Sequence, residues 1–141
     1  MAKTILAQKR NQTKKTILVI EDEKPLLEVI RQRIKKEGFE VKTARTAQEG
    51  INYLKSSLPL DLIWLDHYLP GKDTGLDFVW KIHQNERWRK IPVFVISNST
   101  SHDKQRSYIQ LGVVKYYTKA DYRLGEIIED ICQFLKAKKN E

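Results

Sequence analysis

Reactive side chains recur at the ends of short apolar runs in this sequence. Glu21, Asp22 and Glu23 follow TILVI (16–20), Asp66 follows DLIWL (61–65), Ser97 follows PVFVI (92–96), and Lys119 comes shortly after VVKYY (113–117). If those runs are neighbouring strands, about 4.8 Å apart, the groups converge. Several carboxylates in one pocket repel one another and raise one another's pKa. A hard divalent cation resolves the conflict, and Mg²⁺ favours one or two carboxylates together with carbonyls and water. With such a cation bound, a carboxylate can attack phosphorus and become an aspartyl phosphate. The metal, an ammonium and a hydroxyl can then share the three equatorial phosphoryl oxygens. Asp66, Lys119 and Ser97 are of the right types for nucleophile, ammonium and hydroxyl.

The elements that must position these groups alternate along the chain. After the first run, Pro25 sits where a helix can begin, and Leu26, Leu27, Ile30 and Ile34 recur at helical spacing until Gly38. FEVKT (39–43) alternates like a half-buried strand. Thr46 and Glu49 form a capping-box pattern for a second helix carrying Ile51 and Leu54. DLIWL is nearly all apolar, as expected of a strand covered on both faces. The loop PGKDTG (70–75) precedes a third helix, whose inward side is either Leu76, Val79 and His83 or Phe78 and Ile82. A shorter, more polar helix is predicted over about 102–111, and a last one from Asp121 with Ile127, Ile128, Ile131, Phe134 and Leu135 inward. Five strands alternating with five helices argue for a parallel, doubly wound α/β sheet with helices on both faces. Such sheets bind ligands beyond the carboxyl ends of the strands, where the winding reverses.

Composition excludes several classes. With 141 residues, 40% of them hydrophobic and 31% charged, the chain fits one domain with a real core. No apolar run approaches the roughly 18 residues of a membrane span, and the N-terminus lacks the pattern of a secretory signal. A single cysteine, Cys132, rules out an internal disulfide and points to a reducing, cytoplasmic setting. Three scattered histidines, His67, His83 and His102, match no zinc spacing. The net charge of +8 is carried mostly by the ends, since Lys3, Lys9, Arg10, Lys14 and Lys15 fall in residues 1–15 with no acid among them. Residues 1–15 thus read as a basic flexible tail and 137–141 as a short C-terminal one. The stretch 16–136 between them is nearly neutral, which argues against specific nucleic-acid reading.

The sequence resembles the receiver domain of two-component response regulators. The resemblance rests on the acidic pair in ILVIEDE, on DLIWLDHYLPG around Asp66, on Ser97 after PVFVI, and on KYYTK ending in Lys119; it covers about residues 16–136. It implies a flavodoxin-like sheet of order 2-1-3-4-5. It also implies phosphorylation of Asp66 by a histidine kinase or histidine phosphotransfer protein. The implied Mg²⁺ ligands are Asp22, Asp66, the Tyr68 backbone carbonyl, and Glu21 directly or through water. Ser97 would be the hydroxyl that swings toward the phosphoryl group, Lys119 its cationic clamp, and Tyr116 the aromatic switch coupled to that swing. Lys119 is expected to act on signalling with little effect on folding. Downstream output is expected through a protein target, on the face of the fourth helix, fifth strand and fifth helix. That face offers Ile109, Tyr116, Tyr117 and Tyr122 for a partner or a dimer. His67 is given no role, and Trp64, Trp80 and Trp88 read as packing or surface aromatics.

Three positions depart from the family pattern. Ala120 stands where receivers usually carry a proline, so the 119–120 peptide is expected to be trans. Asn98 replaces a small residue, and the loop LPGKDTG is one residue longer than usual. Ending after the fifth helix, the sequence is expected to be a stand-alone receiver that catalyses only its own phosphorylation and dephosphorylation. The alternatives are a phospho-independent pseudo-receiver that binds proteins, and an aspartyl-nucleophile phosphohydrolase. Hydrolases of the haloacid-dehalogenase type want a second aspartate two residues after the nucleophile, where Tyr68 stands.

Overall fold

In the computed structural model, residues 14–139 are described. Most of the expected N-terminal tail lies outside them. Five strands, β1 (Thr16–Ile20), β2 (Glu40–Ala44), β3 (Leu62–Leu65), β4 (Val93–Ser97) and β5 (Lys115–Thr118), form one parallel sheet of order β2-β1-β3-β4-β5. The helices are α1 (Lys24–Lys36), α2 (Ala47–Lys55), α3 (Gly75–His83), α4 (His102–Gln110) and α5 (Leu124–Lys139). This is the flavodoxin-like topology, and its winding reverses between β1 and β3.

The central strands are apolar along nearly their whole length because each side of the sheet is covered. On one face, Ile17, Val19, Leu62, Trp64, Phe94, Ile96 and Tyr117 pack against Leu27, Ile30 and Ile34 of α1 and Ile127, Ile131 and Leu135 of α5. On the other, Leu18, Ile20, Ile63, Leu65, Val93 and Val95 pack against α2, α3 and Tyr108 of α4. Alternation within a single strand thus feeds two cores.

Local signals act much as the residue types require. Pro25 lies in the first turn of α1, and Gly38 turns the chain behind it at φ 98°. Thr46 caps α2 by accepting from the Glu49 amide at 3.0 Å, but the Glu49 carboxylate reaches the Arg45 amide rather than that of Thr46. The reciprocal capping box occurs at α3, between Thr74 and Asp77.

Several expectations are corrected. The inward side of α3 is Phe78, Val79 and Ile82, while His83 is exposed. β5 begins at Lys115 rather than at Val113. Lys119–Asp121 forms a 3-10 turn, so α5 starts at Leu124 rather than Asp121. That turn carries the chain from the sheet edge to the helix layer. All peptide bonds of the described residues are trans, the 119–120 bond included.

Candidate functional site

Strand register gathers the reactive groups. Ile20 pairs with Leu65, so Glu21 and Asp66 leave adjacent strands side by side, and the Asp66 amide donates to the Ile20 carbonyl at 3.0 Å. Ser97 pairs with Thr118, which brings Lys119 one step beyond Ser97. Glu21, Asp66 and Ser97 are all buried.

Electrostatics dominate the floor of the site. The Lys119 ammonium donates to Glu21 Oε1 at 2.9 Å and lies 3.7 Å from Asp66 Oδ1. Glu21 Oε2 also accepts from the Glu23 amide at 3.1 Å. Asp66 Oδ1 is buried without a hydrogen-bond partner. Burial first, and the negative charge of Glu21 second, push the Asp66 carboxyl up to about 7, against the pull of Lys119. One ammonium therefore serves two buried carboxylates and satisfies Glu21 better. Lys119 is thus the counter-ion of a buried acid.

Asp22 is turned outward. Its carboxylate lies 3.5 Å from Arg45 Nη2, and Arg45 Nε donates to its backbone carbonyl at 3.2 Å. Among the described residues, no three acidic, histidine or cysteine side chains form a ready metal cage. The donors nevertheless suit a hard divalent ion: Asp66 has an orphaned buried oxygen, Glu21 is beside it, and Asp22 follows directly in the chain. Such an ion would compete with Lys119 for Glu21 and with Arg45 for Asp22.

Around the rim, Ser97 Oγ accepts from the Ser99 amide at 3.1 Å. The Tyr116 hydroxyl donates to the Ser99 carbonyl at 2.8 Å, so Tyr116 is tied to the loop that follows Ser97. Tyr68 is exposed at the mouth, and its hydroxyl accepts from Lys104 Nζ of α4 at 3.0 Å.

These groups stand at the strand ends of a doubly wound sheet. The family described as the response regulator receiver domain matches residues 17–131.

The chain belongs to the response regulator receiver family.

Phosphorylation and Mg²⁺ binding are features of that family, and its members act with kinases and downstream targets in two-component systems. Among relatives, the phosphate regulon transcriptional regulatory protein PhoB of Pseudomonas aeruginosa is 30% identical over 105 residues, which are 74% of this chain and 45% of that protein. The chain thus spans less than half the length of the curated relatives it matches. Among solved structures, the phosphorylated cyanobacterial phytochrome response regulator RcpA is 28% identical with a TM-score of 0.73, covering 84% of this chain and 89% of that one. The Mn²⁺-bound form of response regulator Rcp1 is 29% identical with a TM-score of 0.75, covering 86% and 94%.

The receiver's expected output face is modified by the structure. Ile109 and Tyr122 are exposed and Tyr116 is half-buried, but Tyr117 is buried, its ring stacked on Phe94 and its hydroxyl donating to Asp130 at 2.6 Å. Val114, just before β5, is also exposed. Trp64 is core, Trp80 is exposed and Trp88 is half-buried. Among the described residues no helix is long and apolar enough to cross a membrane.

Sequence reasoning missed His67. It is buried, and its Nδ1 is hydrogen-bonded to the Tyr108 hydroxyl at 2.6 Å. The available signal was Tyr108 itself, a large aromatic in the mostly polar helix HDKQRSYIQ.

Proposed function

We propose that this receiver accepts a phosphoryl group on Asp66 from a histidine kinase or histidine phosphotransfer protein, and that the phosphorylated chain signals to protein partners by a conformational switch. The observation that carries this reading is Asp66 Oδ1, buried, unpartnered and 3.7 Å from the Lys119 ammonium. An oxygen so placed is a nucleophile with its counter-charge at hand.

In the transfer, an ionised Asp66 oxygen attacks phosphorus. The P–N bond to the donor imidazole breaks, and its electron pair returns to the ring nitrogen. The residues that would hold Mg²⁺ are Asp22, Asp66, the Tyr68 carbonyl and, directly or through water, Glu21; the ion would supply charge neutralisation for the anionic donor. Lys119 exchanges part of its bond with Glu21 for a phosphoryl oxygen. The Ser97 hydroxyl leaves the Ser99 amide to donate to another, and Tyr116, bonded to the same loop, follows that movement. The phosphorylated form of RcpA and the Mn²⁺-bound form of Rcp1, both similar chains, lend support.

The only turnover this reading assigns is self-phosphorylation and hydrolysis of the aspartyl phosphate, in the cytoplasm. Output runs through protein contact on the α4-β5-α5 face, where a dimer is one arrangement, and involves no specific nucleic acid. Intact-mass analysis after incubation with acetyl phosphate and Mg²⁺ tests the assignment. A single phosphoryl adduct on the wild type, absent from Asp66→Asn, is expected; an undiminished adduct on Asp66→Asn overturns it.

A further inference from the structure

His67 and Tyr108 join the Asp66 loop to α4 through the protein interior. His67 follows Asp66 directly and is 5% exposed. Tyr108 is fully buried and is the buried residue of α4. Their 2.6 Å hydrogen bond spans 41 residues of sequence.

The junction has no slack. The Gly75 amide donates to the His67 carbonyl at 2.9 Å. A Cβ on Gly75 would stand 2.6 Å from the Asp66 carbonyl oxygen, 2.7 Å from the Tyr108 hydroxyl and 2.9 Å from His67 Cα. Asp66, His67, Tyr108 and the start of α3 therefore meet at one point that only glycine permits. Packed interiors respond to such displacement by discrete rearrangement rather than by smooth deformation.

Tyr116 makes a separate tie. It bonds the Ser99 carbonyl, on the other side of the site, while its ring lies 5.8 Å from that of Tyr108. Two polar connections thus leave the Asp66 region, one through Ser97 and the loop to Tyr116, the other through His67 to Tyr108.

We propose that the His67–Tyr108 hydrogen bond is a second coupling element between Asp66 and α4, acting in parallel with the Ser97–Tyr116 connection. Phosphorylation of Asp66 shifts the backbone at His67, and α4 follows through Tyr108. His67 is a positioning residue in this scheme and Tyr108 is its lever on the helix. The inference rests on Asp66 being the phosphoacceptor.

The test uses the full chain labelled with ¹⁵N and with ¹³Cζ-tyrosine, phosphorylated by acetyl phosphate and Mg²⁺, with intact mass recorded in parallel. Wild type, Tyr108→Phe and Tyr116→Phe are compared. All three are expected to take one phosphoryl group. A single hydrogen bond biases a two-state balance roughly 2- to 12-fold, so Tyr108→Phe should shift the balance of α4 states by that factor and reduce the phosphorylation-induced shifts of the α4 amides. Its shifts in the loop 98–101 should persist, and Tyr116→Phe should show the opposite pattern. Full α4 shifts in phosphorylated Tyr108→Phe overturn the coupling. The wild type supplies a check that needs no variant: an unmoved Tyr108 Cζ resonance on phosphorylation also overturns it. Absence of any adduct on the wild type is a different result, which removes the phosphoacceptor reading and the coupling with it.

Discussion

Replacing Asp66 with asparagine should stabilise the metal-free protein, and the gain should grow with pH. The carboxyl of Asp66 rises from 3.8 to about 7 on folding, because it is buried beside Glu21. Between those values the unfolded chain has released the proton and the folded chain still holds it. The folded state therefore binds more protons, so stability falls as pH rises through this window. Each unit of separation is about 1.36 kcal/mol, so the full cost above the folded pKa is about 4 kcal/mol. From about pH 5 to about pH 8 the wild type should lose roughly 2–3 kcal/mol through this group alone. Asparagine at the same place carries no charge at any of these values and escapes the loss. The assay is urea unfolding followed by far-UV circular dichroism, with chelator present, for both proteins at both pH values. Subtracting one protein from the other cancels the titrating groups remote from Asp66, and leaves the carboxyl together with its close partners Glu21 and Lys119. The expected result is a stability advantage of Asp66→Asn that widens toward alkaline pH. A constant difference, or one that narrows, would refute the claim that a strained carboxylate sits at the strand ends.

Four further outcomes follow from the same geometry. Mg²⁺ should raise the thermal midpoint of the wild type in proportion to the logarithm of its concentration, and should lose most of that effect in Asp66→Asn, as scanning calorimetry would record. Lys119→Met leaves Glu21 buried without its ammonium and should cost up to about 3–5 kcal/mol in urea unfolding near neutral pH. Gly75→Ala places a methyl against the Asp66 carbonyl and the Tyr108 hydroxyl, and overpacking of this kind should cost about 1–3 kcal/mol by the same measurement. Tyr116→Phe removes the bond to the Ser99 carbonyl and should cost about 0.5–1.5 kcal/mol, with faster hydrogen exchange confined to the loop after β4.

Much of the fold is legible in the sequence because its signals are local. Apolar runs such as LIWL and VFVI mark strands covered on both faces, Pro25 and Thr46 mark helix starts, and the alternation of strands and helices leaves a parallel sheet as the consistent solution. The reactive groups are legible for the same reason. Each stands directly after a run, so once the topology is parallel they must share one edge. Asp66, Glu21, Ser97 and Lys119 are legible on that ground.

What the tertiary structure alone decided is which partner each side chain takes. Nothing local indicates that Lys119 favours Glu21 over Asp66, since the choice depends on distances of 2.9 and 3.7 Å across three strands. Arg45 reaches Asp22 from the carboxyl end of the neighbouring strand β2, 23 residues away in sequence. Tyr116 and Tyr117 are neighbours of the same type, yet one contacts the loop after β4 and the other is buried against Phe94, because successive strand residues point to opposite faces. His67 reads as a loop residue until α4 packs over it and supplies the Tyr108 hydroxyl. Sequence patterns specify elements through periodicity, but pairings between distant polar groups are set by where the packed elements bring them.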